Sequence, residues 1–111
     1  MNPTLGRVRK HSEFLQVCRG PRTASPHLVF HYSLSSGTGV NFGFSVPKAV
    51  GCAVERNKVK RRLRACCRDL AGSLPEGARV VLRARPSAAA AGFWDLHSEV
   101  EGAFLKIASE A

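Results

Sequence analysis

Between Glu55 and Leu70 the sequence combines two patterns that leave a chain few ways to fold. At 100° per residue, Val59, Leu63, Cys66 and Leu70 fall within about 60° of one another, a 4-3-4 apolar seam on one helix. Arg56, Lys60, Arg64 and Arg68 recur at every fourth position elsewhere on the surface, with Asn57 and Arg61 beside that row and Lys58 and Arg62 further round. A helix with one narrow dry stripe cannot stand alone. The stripe predicts a sheet beneath it, and the remaining surface must face something that tolerates cations.

The residues from Glu55 to Arg68 hold seven cations and one acid, Glu55, at the amino-terminal end where the helix dipole accommodates it. A solvated helix face normally mixes signs, because i,i+4 acid–base pairs stabilise it and like charges at that spacing cost a few tenths of a kcal/mol. Nothing here offsets the repulsion within the chain, and a polyanion would. The whole chain leans the same way: Lys and Arg total 17 against 8 acids, giving +9 and a pI near 10.3. Arg outnumbers Lys 12 to 5, and the planar guanidinium suits phosphates and bases. RNA, DNA and an anionic membrane are the candidate partners. A major-groove reading lacks a preceding helix-turn-helix partner and offers Asn57 as the only amide suited to base edges. A membrane-surface helix would want a wider apolar face carrying Trp or Phe.

At 111 residues the chain suits one domain. Residues 1–10 read as a flexible basic arm. Ser12 to Arg19 suits a short helix with Phe14, Val17 and Cys18 on one face, and Arg22 to Pro26 reads as loop. His27 to Leu34 is rich in strand formers, and Val40 to Val46 alternates Val40, Phe42, Phe44 and Val46 against Asn41, Gly43 and Ser45. With a turn at 35–39, the two suggest an antiparallel hairpin. Pro47 to Ala53 links to the basic helix. Leu74 to Gly77 breaks the chain, Arg79 to Arg83 forms a strand, and Phe93 to Ser109 forms a last helix with Leu96, Val100, Ala103, Phe104 and Ile107 inward. The pattern gives helix, two or three strands, helix, strand and helix, and the expected class is α+β, a two-layer α/β sandwich taken in the order α-β-β-β-α-β-α.

Several chemistries find no support in the pattern. Cys18, Cys52, Cys66 and Cys67 lack metal-ligand spacing and are expected as reduced, mostly buried thiols, so no metal site is expected in the protein. Glu99 and Glu101 stand roughly 200° apart on a helix. His27 and His31 are roughly 13 Å apart along a strand, so neither a carboxylate nor an imidazole pair is set up for hydrolysis. No run reaches the roughly 18 apolar residues of a membrane span, and the first residues lack a signal-like apolar segment. The expected location is the cytoplasm.

Three adjoining segments carry a resemblance. Phe42 to Lys48 (FGFSVPK), Val50 to Val54 (VGCAV) and Glu55 to Arg64 (ERNKVKRRLR) closely resemble the signature GxSVxKKxGxAVxRNRxKRxxR of the bacterial ribonuclease P protein component. Phe14 resembles that family's first-helix aromatic, Tyr32 its strand tyrosine, and Arg79 to Pro86 its late strand. Lys58 departs from the family's second Arg, Ala49 from its second Lys, Pro47 from a Ser, and Cys18 from an aromatic.

The resemblance implies a fold like the second domain of the fifth small-subunit ribosomal protein, with a left-handed βαβ crossover. It implies an accessory role in an endoribonuclease whose RNA subunit, with Mg²⁺ held mainly by that RNA, removes the 5′ leader from precursor tRNA. The expected partners are the catalytic RNA and precursor tRNA, with no membrane and no obligatory protein partner. It assigns Arg56, Asn57, Lys58, Lys60, Arg61, Arg64 and Arg68 to the catalytic RNA. Phe14, Cys18, Tyr32, Ser45 and Lys48 are assigned to a leader-binding cleft between the first helix and the sheet. The protein alone is expected to be inactive. A ribosomal-type structural RNA-binding protein is the alternative.

Overall fold

The structure, a computed structural model, describes residues 5–7, 11–35 and 37–110. Its elements are β1 (Leu5–Arg7), α1 (His11–Arg19), β2 (Arg22–Ala24), β3 (Leu28–Leu34), β4 (Val40–Ser45), α2 (Ala53–Leu70), β5 (Ala78–Ala84) and α3 (Phe93–Ser109). Short 3₁₀ turns at Lys48–Val50, Ala71–Ser73 and Pro86–Ala90 join them. The five strands lie in the order β1-β4-β5-β3-β2.

This order corrects the expected hairpin. β3 and β4 are consecutive in sequence, yet β5 lies between them, antiparallel to β3 and parallel to β4. The reason is burial on both faces. Val80, Val81 and Leu82 are all completely buried, and a strand apolar on both sides belongs at the centre of a sheet. The Leu74–Gly77 turn locks the insertion at one end. Gly77 donates its N–H to the Gly39 carbonyl (2.7 Å), while its own carbonyl accepts from the Ser35 hydroxyl (2.9 Å). Its φ of +87° and a virtual Cβ only 2.2 Å from the Ser35 carbonyl oxygen allow no side chain there. Helix α2 thus connects two parallel neighbours, forming a βαβ unit.

Two further expectations change. Arg22–Ala24 is a strand rather than loop, paired antiparallel to Val29–His31. Its edge position needs no apolar alternation, so periodicity could not reveal it. Within the expected basic arm, Leu5–Arg7 pairs in parallel with Val40–Phe42, which departs from a loose segment. The rest of that arm, residues 1–4 and 8–10, lies outside the described residues.

The core lies between one sheet face and the pair α2–α3. Two register lines floor it: Tyr32–Val80–Phe42 and Phe30–Leu82–Phe44. The Phe104 ring of α3 stacks on Phe42 (5.8 Å, 14°) and meets Phe30 edge-on (6.3 Å, 75°). The expected seam of α2 faces inward, with Val59, Leu63 and Cys66 buried and Leu70 packed at its margin. Burial of side chains this size contributes about 1.5–3 kcal/mol each. The last helix buries Leu96, Val100, Ala103, Phe104 and Ile107, as its period indicated. Helix α1 lies across part of the opposite sheet face.

Candidate nucleic-acid interface

The outer surface of α2 is a field of unneutralised charge. Asn57, Lys58, Arg61, Arg64 and Arg68 are exposed, and Arg56, Lys60 and Arg62 are half-buried. The ion-pair contacts among the described residues, His27–Glu99 (3.9 Å) and His97–Asp69 (3.4 Å), both use imidazoles, so no α2 cation has a carboxylate partner among those residues. Two depressions flank the exposed ridge. One, of about 500 Å³, is lined by Val54, Asn57, Lys60, Arg61 and Arg64. The other, of about 420 Å³, is lined by Lys58, Arg61, Arg62, Ala65 and Phe93, so Arg61 borders both.

The cations of the fourfold row are not equivalent. The Arg64 guanidinium sits 5.9 Å from the centre of the Phe44 ring. That contact orients its fork and covers the apolar edge of β4. Arg56 is partly sunk, and its Nε is buried without a hydrogen-bond partner among the described residues. Arg68 is exposed at the carboxyl end of α2. Arg62, outside the row, donates from Nη1 to the Ala91 carbonyl (3.0 Å), bracing α2 against the start of α3.

On the other sheet face, α1 crosses a register line running Arg22–His31–Val81–Gly43. Val17 is buried there, and Phe14 and Cys18 are half-buried at the edges. A Cβ at Gly43 would meet the Phe14 ring at 3.4 Å and Val81 at 3.3 Å. The flanking lines are polar: Val29–Arg83–Ser45 on one side, Ser33–Arg79–Asn41 on the other. Arg83 is exposed although it belongs to the central strand, so this face is open beside α1.

Electrostatics distinguish this surface from the core. Burial pushes the Cys18 thiol up, with Arg83 acting against it. Burial, then the charges of Arg22 and Arg83, holds the His31 imidazole below its ordinary value, with a weaker opposing contribution from the Cys18 backbone. The His31 Nδ1 is buried without a hydrogen-bond partner among the described residues.

Of the expected cleft residues, Phe14, Cys18 and Ser45 share this face. Tyr32 does not. It lies on the α3 side of the sheet, 4% exposed, and its hydroxyl donates to the Glu110 carboxylate. That bond, with burial and the carboxylate's charge behind it, raises the phenol's pKa. The physical reason is the period of two: His31 and Tyr32 are adjacent on a strand and must point to opposite faces. Lys48 stands exposed in the turn leading from β4 to α2. His31, Arg79 and Arg83 also stand on this face, and none of them was among the expected cleft residues. Their signal was available, since Arg79, Val81 and Arg83 alternate along one strand, as do Val29, His31 and Ser33 along another.

The cysteines are all free. Cys66 and Cys67 are buried, Cys18 is half-buried and Cys52 exposed, so burial holds for fewer than expected. Burial, with Asp69 adding to it, pushes the Cys66 thiol up to about 11. No described helix is long and apolar enough to cross a membrane.

The family model Ribonuclease P matches residues 3–108. The ribonuclease P protein component of Rhodococcus opacus is 44% identical over 115 residues, covering 96% of this chain and 92% of that protein. That of Kocuria rhizophila is 45% identical over 96 residues, covering 86% and 84%. Among solved structures, the ribonuclease P protein of Thermotoga maritima superposes with a TM-score of 0.82 at 24% identity, over 91% of this chain and 96% of that one. The Staphylococcus aureus protein gives a TM-score of 0.78 at 27% identity, over 92% and 94%.

Proposed function

The chain belongs to the ribonuclease P protein family, the protein subunit of the bacterial tRNA-processing endoribonuclease, and on that premise we propose how its two surfaces divide the work. The α2 face (Arg56, Asn57, Lys58, Lys60, Arg61, Arg64 and Arg68) binds the catalytic RNA. The open face beside α1 (Phe14, Cys18, Gly43, Ser45 and Arg83) takes the single-stranded 5′ leader of precursor tRNA. One observation carries this reading: a row of cations on one helix with no carboxylate partner among the described residues. Phosphates arrayed along an RNA strand relieve that repulsion and release their own counterions on binding. The second surface suits a different form of RNA. A half-exposed aromatic, small side chains and an arginine on a sheet face serve stacking and backbone contact with single strands.

Hydrolysis in this reading belongs to the RNA subunit. The histidines do not converge: His27 is held by Ser87 (2.7 Å) and faces Glu99, while His31 lies beneath α1. The described residues bring no three His, Cys, Asp or Glu side chains together as a donor set. That donor pattern offers Mg²⁺ no site among the described residues, and we assign the ion to the RNA. The protein's contribution is to hold two RNAs in register.

Reconstitution tests this. The chain is mixed with a bacterial ribonuclease P RNA and precursor tRNA, and cleavage is followed at low Mg²⁺. Stimulation by the protein, and no cleavage by the protein alone, is the expected result. RNA binding without stimulation would make the chain a structural RNA-binding protein instead.

A further inference from the structure

Trp94, the single tryptophan of the chain, has no role in either surface described above. It is the second residue of α3 and is 70% exposed, more than any other large apolar side chain described. An indole left in water is a large apolar area without a partner. Its orientation is nevertheless set. The ring meets Phe93 edge-on at 5.1 Å and 80°, and His97 at 5.2 Å and 64°. Contacts with two neighbours steady the ring, and at 70% exposure most of it stays open to solvent.

Phe93 joins this cluster to the second depression of α2, whose wall it forms with Lys58, Arg61 and Arg62. The carboxylates beside the cluster each have a protein partner. Asp95 accepts from the Gly92 N–H (3.3 Å), and Asp69 faces His97 (3.4 Å). A fixed open indole beside three cations in one groove is complementary to a base and the phosphate attached to it. A paired nucleotide keeps its base inside the duplex, so the fit is to an unpaired one. The location chooses the molecule that supplies it. α2 and α3 share one sheet face, and α1 with the leader surface lies on the other.

We infer that Trp94 and the Lys58–Arg61–Arg62 groove form a seat for one unpaired nucleotide of the RNA subunit, its base stacked on the indole and its phosphate in the groove. This rests on the proposed placement of α2 on that RNA, and it adds a contact outside the basic helix.

The single tryptophan is its own probe. Titration of the full chain with ribonuclease P RNA should quench Trp94 emission and shield it from acrylamide, while a leader oligonucleotide alone should do neither. Trp94→Phe should keep most of the affinity. Trp94→Ala should lose roughly 5- to 150-fold, the range for one stacked base, with the salt dependence of binding unchanged because no counterion is involved. At 70% exposure the side chain is dispensable for folding, and circular dichroism of Trp94→Ala should match the parent. RNA binding by filter assay with unaltered emission and an unaffected Trp94→Ala variant would overturn the seat and leave the proposed function standing. A change in self-association in place of RNA affinity would reassign the indole to a protein contact. Failure of the parent chain to bind the RNA at all would remove both.

Discussion

The ring of Phe14 lies 3.4 Å from the point that a Cβ would occupy at Gly43, so the first helix closes onto the sheet through a missing side chain. The other neighbour of that point, Val81 at 3.3 Å, is β-branched and fully buried. A methyl there presses first on Val81 and sits at ordinary contact distance from the Phe14 ring. Gly43→Ala should crowd the seam between Phe14 and Val81 and disturb the proposed leader surface, and Phe14→Ala should remove its aromatic ring. Both are expected to weaken leader-bearing precursor more than mature tRNA, with Phe14→Ala losing about fivefold or more. Competition binding with the two tRNAs reads this out. Equal losses for both would make Phe14 a packing residue.

Tyr32 supplies the contrasting case. Its hydroxyl reaches Glu110 at the end of α3, on the far side of the sheet from Phe14. Tyr32→Phe should cost about 1 kcal/mol of stability, the net worth of one hydrogen bond, measured as a lower urea midpoint. Leader discrimination should be unchanged. Reduced discrimination without reduced stability would return Tyr32 to the leader surface.

These two residues also show how far local pattern reaches. The seam of α2 and the stripe of α3 were legible because a helix repeats its buried positions over four or five turns. Tyr32 was misplaced because an aromatic resembling a family position outweighed the alternation that sets Leu28, Phe30 and Tyr32 against Val29, His31 and Ser33. Insertion of β5 between β3 and β4 is a long-range pairing, and the turn at 35–39 is compatible with either arrangement. Only the two-sided apolar run Val80–Leu82 hinted at a central strand. The α2 cation field was legible because charge needs no partner in the chain to be counted; its division into two depressions, with Arg64 laid over Phe44, needed α3 and β4 in place.

Arg64 permits a test of that field. If about five phosphates are contacted, log K against log salt should slope near −3.5 to −4.5, and Arg64→Ala should flatten it by about one unit. Arg64→Lys keeps the charge, so the slope should persist, while loss of the planar fork over Phe44 lowers affinity at every salt concentration. An unchanged slope in Arg64→Ala would take Arg64 out of the interface.

His31 links the sheet face beneath α1 to acid stability. The folded chain holds this imidazole below its ordinary value of 6.5, chiefly through burial and then through Arg22 and Arg83. Below about pH 6.5 the unfolded chain takes up a proton that the folded chain resists. The stability tied to neutral His31 is thus present above that pH and is lost as pH falls toward the folded pKa. Because Nδ1 has no hydrogen-bond partner among the described residues, His31→Leu gives up only the imidazole's bond with the Cys18 backbone and should cost about 1 kcal/mol or less at pH 7. It should also flatten the decline between about pH 6.5 and 5, where the ordinary imidazole titrates. Urea midpoints of the two proteins across that range decide the matter. Parallel curves would mean that protonation elsewhere, not at the imidazole beneath α1, sets the acid limb.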